Sequence, residues 1–159
     1  MKKYAFSLIA CILSASCIAS DSDWVTYIKL VSSADLAAIQ SLPAKIKSTG
    51  DNLDDEHAEQ LATAISIALI REPELVLNVT NQFELNPDPL QQRFGTTLIC
   101  SIPVMVHGTN VEVETYFAKA KPALEKAGPP ARECLSNMLD VINEVRQERD
   151  KTQNVSIVI

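Results

Sequence analysis

The sequence predicts an all-α fold: five or six short amphipathic helices packed around a central apolar helix at about 54–72, with one disulfide. Three observations carry this. Apolar residues recur at i, i+3, i+4 and i+7 in segment after segment. Proline and capping residues punctuate the chain at helix-length intervals. The aromatic and alternating patterns that mark strands are scarce, with aromatics at 5% of 159 residues.

The chain opens with Lys2 and Lys3, an apolar run from Tyr4 to Leu13, and the small residues Ser14-Ala15-Ser16-Cys17-Ile18-Ala19-Ser20. This order reads as a bacterial secretory signal, and the run is too short to span a bilayer. Residues 1–20 are expected to be removed near Ala19 or Ser20, delivering the protein to the periplasm. Lipidation of Cys17 is the rival outcome, giving a membrane-anchored lipoprotein. Against it, Ser14 stands where a lipobox carries a branched apolar residue. Residues 21–151 form one helical domain and 152–159 an apolar tail.

Within the domain, Trp24 is expected to anchor the first segment by packing. Ser32 and Asp35 resemble a capping box for a stripe of Leu36, Ile39 and Ile46. Pro43 predicts a kink or two short helices there, and Gly50 a stop. Asp54, Asp55 and Glu56 open the central helix, where the macrodipole favours acids. Ala58, Leu61, Ala62, Ile65, Ala68 and Leu69 then follow helical spacing. Pro73 suits the first position of a further helix toward Phe83. Asn86-Pro87-Asp88-Pro89 is a rigid connection, with Asp88 as cap and Pro89 as first helical residue.

The stretch Arg93–Pro103 carries Cys100 on a short turn between Gly95 and Pro103. Val104–Gly108 reads as a loop. Thr109 and Glu112 form a capping box for a stripe of Val113, Phe117, Ala120, Leu124 and Ala127, with a kink predicted at Pro122. Gly128-Pro129-Pro130 ends that stripe. A last helix runs from Ala131 to Lys151, its charged end solvated and Arg146 paired with Asp150. The β-prone tail Gln153–Ile159 is expected to dock on the body or stay disordered.

Cys100 and Cys134 are the two cysteines outside the leader. In an oxidising compartment, on two segments with apolar faces, they are expected to pair as a structural disulfide. Closing a loop of that length is worth roughly 3.8 kcal/mol in the chain-entropy model. The rival reading, a reactive cysteine, lacks a Cys-x-x-Cys spacing and a cationic neighbourhood.

The other chemistries are poorly supplied. Asp54, His57 and a remote His107 do not follow a metal-site spacing, so no metal is expected. There is no Gly-x-Ser-x-Gly, no His-Glu-x-x-His and no Gly-rich phosphate loop, and the chain has 4 glycines in all. No catalytic set and no cofactor are expected. Loss of Lys2 and Lys3 with the leader takes the net charge from -6 to -8. Such a chain repels nucleic acid and favours cationic partners.

These features predict an exported protein-binding module, a stoichiometric inhibitor of a periplasmic enzyme or toxin. In size, export and helicity the chain resembles the immunity proteins that neutralise periplasmic toxins, though no motif identifies that family. The alternative is a structural or accessory envelope protein anchored through Cys17, and an enzyme is the least supported reading. Candidate contact residues are Asn86 and Asp88 in the rigid connection, Met105 and His107 in the loop, and Asp54, Asp55 and Glu56 at the central helix start.

Overall fold

The structure, a computed structural model, describes residues 21–49, 53–105 and 109–156. The leader 1–20 with Cys17, the stop at Gly50, His107 and the last three tail residues lie outside the described residues. Eight α-helices are described: α1 (Asp21–Ser32), α2 (Leu36–Thr49), α3 (Asp55–Arg71), α4 (Pro73–Thr80), α5 (Pro89–Gln92), α6 (Thr96–Met105), α7 (Asn110–Ala127) and α8 (Arg132–Ser156). Two 3₁₀ turns, Asn81–Phe83 and Pro129–Ala131, join them. No strand occurs among the described residues. The helix count exceeds the expected five or six because α1 is a separate helix and α5 a single turn.

α3 is central. It packs against α1, α4, α6 and α7. Its buried residues include Ala58, Leu61, Ala62, Ile65, Ala68 and Leu69, the stripe read from the sequence. Ser66, buried beside them, donates to the carbonyl oxygens of Ala62 and of Ile99, so its hydroxyl costs little where it sits. Tyr116 of α7 donates to the Ser66 carbonyl at 2.9 Å, tying α7 to α3.

Several local expectations are corrected. Ser32 does not cap α2; it belongs to α1. α1 closes in a Schellman turn, with Asp35 N bonded to Leu30 O and Ala34 N to Val31 O. Ala34 takes the left-handed conformation there, at φ 60°. Asp35 is the cap, its carboxylate accepting from Ala38 N at 2.9 Å. Pro43 does not split α2 into two helices and Pro103 does not end α6, because both helices run through them; α7 likewise contains Pro122. For α2 the reason is packing: Ile39, Leu42 and Ile46 are buried on both sides of Pro43 and hold the helix across the missing hydrogen bond.

The expected Arg146–Asp150 pair is replaced by a longer-range one. Arg146 makes a two-pronged bond to Glu114 of α7, at 2.8 and 2.7 Å. Arg149 then takes both Glu114, at 3.8 Å, and Asp150. The charged end of α8 is therefore fastened to α7. Helix α8 also continues to Ser156, through residues expected to form a β-prone tail.

Cys100 and Cys134 form a disulfide, with Cα atoms 5.4 Å apart, joining α6 to the first turn of α8. Both residues are buried. Cys100 thus sits at a junction in the core, on a helix of 10 residues rather than the short turn expected.

Candidate functional site

The start of α3 is built by Asp54. Its carboxylate accepts from the His57 backbone N at 2.9 Å and from His57 Nδ1 at 2.7 Å. These two bonds hold the Asp54 carboxyl below the usual carboxylate range. The His57 ring stands edge-on to Trp24, with centroids 5.0 Å apart. Trp24 donates to Gln60 Oε1 at 2.8 Å, and Gln60 donates to Glu56 Oε1 at 3.3 Å. Trp24 is half-buried against the core, so it packs α1 onto α3 as expected.

The rigid connection is rigid for identifiable reasons. Asn86 Oδ1 accepts from Asp88 N at 2.9 Å. Asp88 accepts from Leu90 N at 3.0 Å and from the Gln91 side chain at 2.8 Å, while Asn86 donates to Gln91 Oε1. Asp88 caps α5 and Pro89 begins it. Asn86 and Asp88 therefore turn their polar atoms inward on the loop itself.

Two residues outside the candidate set fix this loop to the body. The Glu84 carboxylate accepts from both the backbone N and the hydroxyl of Thr97, capping α6 from another element. The backbone also passes close to Gly95: a Cβ there would lie 3.0 Å from the Gln92 carbonyl oxygen and 3.2 Å from Glu84 Cα, besides 2.8 Å from the capping Glu84 Oε2. Arg93 is the other. Its Nη2 donates to the Leu53 carbonyl at 2.9 Å, and Nη1 lies 3.5 Å from Asp55 Oδ1. Arg93 also stacks over Phe94. Neither partner could be found from local spacing.

Arg93 thereby brings two of the candidate segments together. The acidic start at Asp54–Glu56 and the connection at Asn86–Pro89 share one end of the molecule. Beside the connection lies a cleft of about 230 Å³ lined by Glu84, Pro89, Gln92, Arg93, Thr97 and Leu98. Its surroundings expose apolar side chains: Leu85 is 92% exposed, Leu90 40% and Leu98 39%. The third candidate segment is not joined to this end by the described contacts. Met105 ends α6, and Val104 and Met105 are helical rather than part of a loop.

The surface is one of acceptors and leucines. Among the described residues, no group of three or more His, Cys, Asp or Glu is arranged to hold a metal ion. No described helix is long and apolar enough to cross a membrane. No family model, no curated protein and no solved structure matches this chain.

Proposed function

We propose that this is an exported, helical protein-binding module that acts as a stoichiometric inhibitor of a cationic periplasmic enzyme or toxin. The observation that carries the reading is Leu85. It is 92% exposed immediately before a connection, Asn86–Pro89, whose Asn86 and Asp88 side chains hydrogen-bond within the loop and to the first turn of α5. A soluble protein gains nothing in its own stability from a fully exposed leucine on a fixed loop. A partner's cleft gains a side chain whose ordering cost has been met in advance. Asp54, Asp55 and Glu56 supply the negative rim that attracts a basic partner.

The test is capture. Immobilised protein is exposed to periplasmic extract and the bound material is identified and titrated. The expected result is one basic enzyme held 1:1, with its activity falling as the complex forms. Leu85→Asp should release it with an unchanged melting temperature. Failure to find a stoichiometric partner, or a complex indifferent to Leu85→Asp, overturns the reading.

A further inference from the structure

We draw no further inference here: the strongest candidate, the cavity of about 450 Å³ where the turn between α3 and α4 meets the end of α7, is rimmed by the exposed side chains of Arg71, Glu72, Glu74 and Lys126, two of each sign, and nothing in the structure shows what covers it.

Discussion

Arg93 donates a 2.9 Å hydrogen bond to the carbonyl oxygen of Leu53, a residue 40 positions earlier. That carbonyl lies just before the capping residue of the central helix, so the bond fixes where α3 begins. Arg93→Met keeps the stem over Phe94 and removes the donors. Loss of about 1.5–3 kcal/mol is expected, the range for a hydrogen bond to a charged group. Urea unfolding checks it. A midpoint equal to the parent's would mean that Asp54 alone sets the helix start.

Cys100→Ser or Cys134→Ser should lower stability by roughly 3–4 kcal/mol, the loop-closure value. The comparison belongs under oxidising conditions, with a reduced parent as control. A variant that melts with the oxidised parent would remove the disulfide from the account of stability.

Ala34 adopts the left-handed conformation at φ 60°, where a Cβ is unfavourable. Ala34→Gly should raise stability by about 0.5–1 kcal/mol, the relief of that strain less the added freedom of the unfolded chain. Thermal melts suffice, and a lowered melting temperature contradicts the turn assignment.

Two groups give opposite pH signatures. The Arg146 guanidinium bonded to Glu114 holds its carboxyl below the usual range. Stability from this group is full above its unfolded pKa of about 4.3 and is lost as pH falls through the lower folded value. Glu114→Gln should therefore flatten the acid limb of a stability–pH curve. Burial pushes the Tyr116 phenol well above its ordinary value. Its contribution is full below about pH 10 and is lost as pH rises further. Tyr116→Phe should flatten that alkaline limb, and it should cost about 1 kcal/mol at neutral pH through the bond to Ser66.

Thr109 and Glu112 cap each other reciprocally, the arrangement their spacing announces. Thr109→Ala should cost about 1 kcal/mol. Unchanged unfolding would show that α7 draws its start from the α8 contacts instead.

The legible features share a physical cause. The Thr109–Glu112 box, the Asp88 cap with Pro89, and the stripe from Ala58 to Leu69 are set by residues within a turn or two of each other. The Cys100–Cys134 pair was legible because only two cysteines remained outside the leader. What the sequence hid depends on distance in the chain. Nothing near Arg146 selects Glu114 over Asp150; the antiparallel docking of α7 and α8 does. Glu84 capping α6 and Arg93 reaching Leu53 are of the same kind. Helices persist through prolines for a related reason. Pro43 and Pro122 remove a helical hydrogen bond, but burial of Leu42 and Ile46, or of Ala120 and Leu124, outweighs a loss confined to one turn. The candidate site was half legible: its acids and its connection were marked, and their meeting through Arg93 was not.

The α6–α8 disulfide also determines how the protein would carry a load. Force applied between the two chain ends travels through the sulfur bridge and bypasses residues 101–133, so α7 bears no direct tension while the bond is intact. Full extension is shortened by about 110–120 Å, the reach of the 34-residue separation between the cysteines. Tension acts directly on α1–α5, on α6 as far as Cys100 and on α8 from Cys134 onward, and reaches α7 only through its packing on those helices.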